Sequence, residues 1–143
     1  MTIRKILTFP DPKLREVAKE VTEFNSDLKS LAEDLIETMY EFKGIGLAAV
    51  QIGVNKRVIV ADVSEEKKDP FIFINPTIKI LNEDEKGGYD EGCLSIPGFY
   101  EEVVRPTQVE ISFQNLSGKK EEIIPEGLLG VVVQHETDHL DGK

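Results

Sequence analysis

The sequence predicts an α+β fold, a single domain over 1–143, in which antiparallel or mixed β-sheets pack around a helix carrying both histidines, with two further helices near the N terminus. Three observations lead there. Between Leu28 and Phe42, apolar side chains recur at three- and four-residue steps. Between Arg57 and Ile124, short runs rich in β-branched and aromatic residues alternate with turn-forming ones. A last helical pattern ends in QHETDHLDG, Gln134 to Gly142, where His135 and His139 stand one turn apart with Glu136 between them.

Taken in order, DPKLREVAKEV has Asp11 at an N-cap position and Pro12 at the first helical position, where no backbone donor is needed, so a short helix is predicted. Asn25 or Ser26 caps a longer helix. Its inner face is Leu28, Leu31, Leu35, Met39 and Phe42, with Lys29, Glu33, Asp34 and Glu37 facing elsewhere and Gly44 as its stop. The small, apolar GIGLAAVQIG follows. RVIVAD from Arg57, FIFI from Phe71 and TIKIL from Thr77 then read as strands, separated by the charged SEEKKD stretch and by Asn75-Pro76. DEKGGYDEGCLSIPG is rich in glycine and acid, which predicts a loop with a short extended piece around Cys93. YEEVVRP, TQVEISFQN and KKEEII, the last two joined by a Ser117-Gly118 turn, read as an antiparallel meander in which Val109, Ile111 and Phe113 face inward. Pro125 and Glu126 open the last helix, on which Leu128, Val132, His135 and His139 share one side; Leu128 and Val132 are expected to dock it on the meander, and Gly142 to end it.

The chain has 143 residues, enough for one core, with 40% apolar and 31% charged residues and no low-complexity run. A net charge of -10 argues against nucleic acid or an anionic membrane as partner, since both need clustered cations. Cys93 is the only cysteine; it has no partner for an intramolecular disulfide and suits a reducing compartment, so a cytoplasmic location is expected. The N-terminal TIRKILTFPDP is too short in apolar residues for a signal segment, and no run reaches membrane-spanning length.

On a helix, imidazoles at i and i+4 can share one metal ion while the intervening Glu136 addresses water at that ion, an arrangement suited to hydrolysis. The plainer alternative is two solvated or core histidines beside an incidental glutamate. Two histidines scattered at random would give this spacing, with Glu after the first, on the order of one time in a thousand, which favours the site. A catalytic zinc or iron centre takes three protein ligands and leaves a position open. Only Leu140, Asp141, Gly142 and Lys143 follow His139, and Asp141 lies just beyond the helix over which it would have to fold. Cys93 is therefore the strongest third candidate, and a thiolate with two imidazoles suits Zn or Fe(II) rather than Mg or Ca. In GIGLAAVQ, small residues let main chain approach a ligand and Gln51 offers an amide donor; neither a dinucleotide fingerprint nor a phosphate loop is present.

Three segments together, GIGLAAVQ from Gly44, EGCLS from Glu91 and HETDH from His135, resemble the peptide deformylases, whose motifs GxGxAAxQ, EGCLS and HExDH occur in that order. The resemblance implies that Cys93, His135 and His139 hold one divalent metal, natively Fe(II), with Zn(II) or Ni(II) able to replace it. It further implies that Glu136 is general base and acid, and that Gln51 and the Leu94 backbone N–H stabilise an oxyanion. Ile45, Gly46, Glu91, Leu94, Val132 and His135 would surround the substrate, with an apolar pocket for a methionine side chain. The implied activity is removal of the formyl group from the N-terminal formylmethionine of nascent peptides, releasing formate. Many bacterial members continue past HLDG into a further strand-like segment and helix; ending at Lys143, like the short forms some phages carry, puts ribosome docking through that helix in doubt. The competing readings are an HExxH metallopeptidase and a non-catalytic metal-binding protein.

Overall fold

Val58–Ala61 is buried at every residue, although strand side chains point alternately to opposite faces. Both faces of its sheet must therefore be covered. The computed structural model describes residues 3–4, 6–7, 12, 17–64, 70–81, 86–93, 96–106, 109–125 and 128–141, with 86–106 and Leu128 described by their backbone alone. Within these, the elements in chain order are α1 (Ser26–Glu41), β1 (Gly46–Ala48), a 3₁₀ turn (Ala49–Ile52), β2 (Val58–Ala61), β3 (Phe71–Ile80), β4 (Lys86–Cys93), β5 (Ile96–Pro106), β6 (Val109–Gln114), β7 (Lys120–Ile123) and α2 (Leu128–Leu140). A five-stranded antiparallel sheet runs β1-β2-β3-β6-β7, and β4 pairs with β5 as a separate two-stranded sheet.

One face of the larger sheet carries Leu47, Val58, Val60 and Ile74, packed with Leu28, Leu31, Leu35 and Met39 of α1. The other carries Ala48, Ile59, Ala61, Phe73, Val109, Ile111 and Phe113, packed with Val132, Val133 and Leu140 of α2. Phe73 meets Phe113 edge to face at 4.7 Å.

The longer N-terminal helix forms as the pattern predicts, with Asn25 as its cap: Oδ1 accepts from Leu28 N–H at 3.1 Å. Three details of that prediction change. Phe42 lies past the last helical residue and is 47% exposed, so it is not part of the inner face. Asp34 is buried, because Arg4 reaches it with Nε at 2.9 Å while the Arg4 backbone N–H donates to Thr38 Oγ1 at 2.8 Å. The left-handed residue at the helix end is Lys43 (φ 57), not Gly44; Lys43 N–H donates to Tyr40 O and Gly44 N–H to Met39 O, closing a Schellman turn. Of the first predicted helix, Asp11 and residues 13–16 lie outside the described residues, while Val17–Val21 is not helical and Lys19 bridges Lys56 in parallel.

FIFI and TIKIL are one strand rather than two. Asn75 takes φ 52 at a register break between Ile74 and Thr77, a bulge that accommodates Pro76 inside β3. The Asn75 side chain offsets the strain by bonding Val21 N–H, Val21 O and Gln114 Oε1. The extended piece predicted around Cys93 is longer than expected: the strand β4 takes in most of the predicted loop from Lys86 and pairs over its length with β5; strand preference depends on the partner, and the β-rich β5 supplies the ladder that glycine-rich β4 lacks by itself. YEEVVRP accordingly belongs to β5 and pairs with β4, so the meander reduces to β6–β7 beside β3.

The last helix is Leu128–Leu140; of its predicted opening residues Pro125 is not helical, and Glu126, like the predicted stop Gly142, lies outside the described residues. Its C-terminal end is pinned from elsewhere: Ala18 N–H donates to Leu140 O at 2.7 Å, and Arg57 pairs with Asp141 at 2.9 Å. Among the described residues, no helix is long and apolar enough to cross a membrane.

Candidate active site

LLGVVVQHETDHL contains three consecutive β-branched valines, which lose side-chain freedom in a helix, so α2 depends on burial for its stability rather than on intrinsic preference. Val131, Val132, Val133 and Leu140 provide that burial. Buried with them are Gln134, Glu136 and Thr137, polar groups whose burial is costly unless it is compensated.

His135 and His139 fall one turn apart and converge. Their Nε2 atoms are 3.2 Å from each other and their rings stand at 76° with centroids 4.9 Å apart. Two imidazole nitrogens on one tetrahedral zinc, each at about 2.0–2.1 Å, would be separated by about 3.3 Å, so the pair has the spacing a shared ion requires. Glu136 is 4% exposed, and its Oε1 lies 3.8 Å from His135 Nε2. One ligand atom from each of His135, Glu136 and His139 lies within 4.8 Å of the others, a group that can hold a metal ion.

Gly46, first residue of β1, lies directly against this cluster. A Cβ on Gly46 would stand 2.6 Å from Val132 Cγ1 and 3.1 Å from Glu136 Cγ. Only glycine lets the strand approach the helix this closely. Gly46 pairs with Ala61 on β2, and among the described strands β1 has no neighbour on its other side. Three residues beyond β1, Gln51 is 1% exposed, and its Oε1 accepts from Ala48 N–H at 2.9 Å. That bond fixes the orientation of the amide and turns its donor end away from Ala48.

Of the residues singled out from the sequence, the described structure brings His135, Glu136, His139, Gly46 and Val132 together, with Gln51 on the turn that follows β1 and Ile45 immediately before Gly46. Cys93 is the last residue of β4, at a break in register where its partner becomes Ile96 after Gly92 has paired with Tyr100. Its side chain and that of Glu91 lie outside what is described, as does all of Leu94. The sequence reading gave Tyr40 and Asp62 no role. Asp62 is nevertheless completely buried beside Ile45, and the signal was an acid closing an otherwise apolar strand.

A family model described as Polypeptide deformylase matches residues 3–143. The peptide deformylase of Cellvibrio japonicus is 53% identical over all 143 residues of this chain and 84% of its own length; that of Pseudomonas aeruginosa is 52% identical with the same coverage. In structure, the chain is similar to a peptide deformylase from Legionella pneumophila, with a TM-score of 0.92 at 44% identity, covering 99% of this chain and 83% of that one. It is likewise similar to the peptide deformylase of Ehrlichia chaffeensis in complex with actinonin, with a TM-score of 0.94 at 38% identity, covering 100% of this chain and 86% of that one. With a histidine pair spaced to share an ion, a buried glutamate between its members and close relatives over the full chain, this protein belongs to the peptide deformylase family of metal-dependent enzymes.

Proposed function

We propose that the chain removes the formyl group from the N-terminal formylmethionine of nascent peptides in the cytosol, releasing formate. The observation that carries the reading is the convergence of His135 and His139 to 3.2 Å with Glu136 buried beside them and Gly46 of the sheet edge pressed against it. Cys93, His135 and His139 would hold one divalent metal, natively Fe(II), with Zn(II) or Ni(II) as replacements; soft sulfur and imidazole donors suit these ions. When bound, such an ion is a Lewis acid that acidifies water and polarises a carbonyl.

The chain's own residues do the rest. The Glu136 carboxylate accepts a proton from water as the water oxygen bonds to the formyl carbon. The Gln51 amide and the Leu94 N–H donate to the formyl oxygen as its negative charge develops, and removing one such donor typically lowers rate about 100- to 1000-fold. Glu136 then delivers its proton to the nitrogen as the C–N bond breaks, leaving formate and a free amino terminus. The peptide lies along the β1 edge at Ile45 and Gly46, with Glu91, Leu94, Val132 and His135 around the methionine side chain.

The test is formate release from formyl-Met-Ala-Ser by the full chain loaded with Fe(II), Zn(II) or Ni(II), with Met-Ala-Ser and a longer unformylated peptide alongside. Formate from the formylated peptide, with the others left intact, supports the reading. Cleavage of internal bonds would replace it with a metallopeptidase, and metal uptake without any turnover with a binding protein.

A further inference from the structure

The connection from α1 to β1 is short, and both of its ends meet one buried residue, Asp62, one at its carboxylate and the other at its backbone N–H. Asp62 is 0% exposed. Its Oδ2 accepts from Tyr40 Oη at 2.5 Å, in the last turn of α1, and its backbone N–H donates to Ile45 O at 2.9 Å, at the threshold of β1. Its Oδ1 accepts from Ser64 N–H at 2.8 Å and from the Ser64 hydroxyl. Burying a carboxylate is costly unless it is bonded, and this one is bonded to Tyr40 and Ser64, while the backbone N–H of the same residue bonds Ile45; Asp62 thus joins both ends of residues 40–46 through its two parts.

The two sides of Gly46 are held differently. Toward the C terminus, Leu47 and Ala48 are fully buried and paired with Val60 and Ile59. Toward the N terminus, Ile45 is half-buried, and the described backbone bond that holds it is the one from Asp62. Loss of the Asp62 anchor would leave Gly46 seated against Glu136 but free the Ile45 rung. We infer that Tyr40 and Asp62 are positioning residues: the Tyr40–Asp62–Ile45 clamp fixes the start of the β1 edge at the level where a formylated peptide must bond to it. This rests on the proposed deformylase activity and adds that peptide affinity, rather than the chemical step, depends on a hydroxyl outside the reacting groups.

The experiment is Tyr40→Phe in the full, metal-loaded chain, with Arg4→Ala as a control that breaks the Arg4–Asp34 ion pair on the same helix away from β1. For Tyr40→Phe we expect KM for formyl-Met-Ala-Ser to rise about 5- to 30-fold with kcat little changed, the pattern of lost ground-state binding by one charge-assisted hydrogen bond. Arg4→Ala should lower Tm without moving KM. Amide exchange at Asp62, measured without substrate, should quicken in Tyr40→Phe because its bond to Ile45 loosens. Unchanged KM, or a fall in kcat with KM kept, overturns the inference. So does exchange at Asp62 that stays at the rate of the parent chain. If Tyr40→Phe does not fold, Ser64→Ala removes one hydroxyl from the same carboxylate and should show the same pattern more weakly; no rise in its KM overturns the inference equally. If the parent chain releases no formate, it is the proposed function that fails, and exchange at Asp62 still decides whether the clamp exists.

Discussion

The two helices lie on opposite faces of one sheet and each buries apolar side chains against it, yet they differ in what else they bury. The buried polar groups of α1, Asp34 and Thr38, are both bonded to Arg4 and serve to tie the N-terminal segment down. Those of α2 include Glu136, adjacent to a histidine pair and under a glycine whose missing side chain leaves room for it. The first arrangement adds to stability; the second keeps a carboxylate in a dry, low-dielectric place where its interactions are strong and its burial is costly. In this fold, one helix supports the sheet and the sheet supports the other helix.

Four substitutions, one of them also paired with a compensating change, would break or sharpen that contrast. The largest effect should come from Glu136→Ala, which is expected to lower formate release by about 100- to 10,000-fold, the range of general acid–base catalysis, while metal content measured on the purified protein stays near that of the parent. Substantial turnover at full metal occupancy would remove Glu136 from its assigned role. On the other face, Leu35→Ala should cost about 2–5 kcal/mol in denaturant unfolding, because Leu35 is fully buried, yet leave kcat unchanged below the new Tm. A loss of activity in the folded variant would show that the two faces are not separable.

Gly46→Ala joins the two effects. Its new methyl must displace Val132 and Glu136, costing about 1–3 kcal/mol by overpacking and lowering formate release as well. Adding Val132→Ala should recover part of the lost Tm, and no recovery would mean that the strain lies elsewhere. The smallest effect is expected at the exposed end of α1, where Lys43→Gly relieves a left-handed residue and should raise stability by up to about 1 kcal/mol. A lower denaturant midpoint would show that the lysine side chain contributes more than its backbone costs.

Much of α1 was legible because its determinants are local. A cap at Asn25 and apolar residues at helical spacing act within a few positions of each other, and the structure follows them. Where a distant partner intervened, local reading failed. Asp34 was assigned to the outer face because nothing near it in sequence announces Arg4. The stretch from Lys86 was taken for a loop, extended only around Cys93, because glycine and acid resist strand formation in isolation, whereas β5 supplies a full ladder. Asn75-Pro76 was taken as a break because proline cannot donate to a ladder, whereas a bulge lets β3 continue through it.

The candidate site divides the same way. The sequence by itself determined that His135 and His139 share a helix face with Glu136 beside them, since four residues on a helix make one turn whatever surrounds it. It also singled out Gln51 and Gly46 by the company they keep in GIGLAAVQ. Only the tertiary structure decided that Gly46 touches Glu136, that Arg57 and Ala18 hold the end of α2, and that Tyr40 and Ile45 meet on Asp62. These contacts join residues far apart in the chain, and their geometry is set by how two helices seat on a shared sheet, which no local pattern encodes.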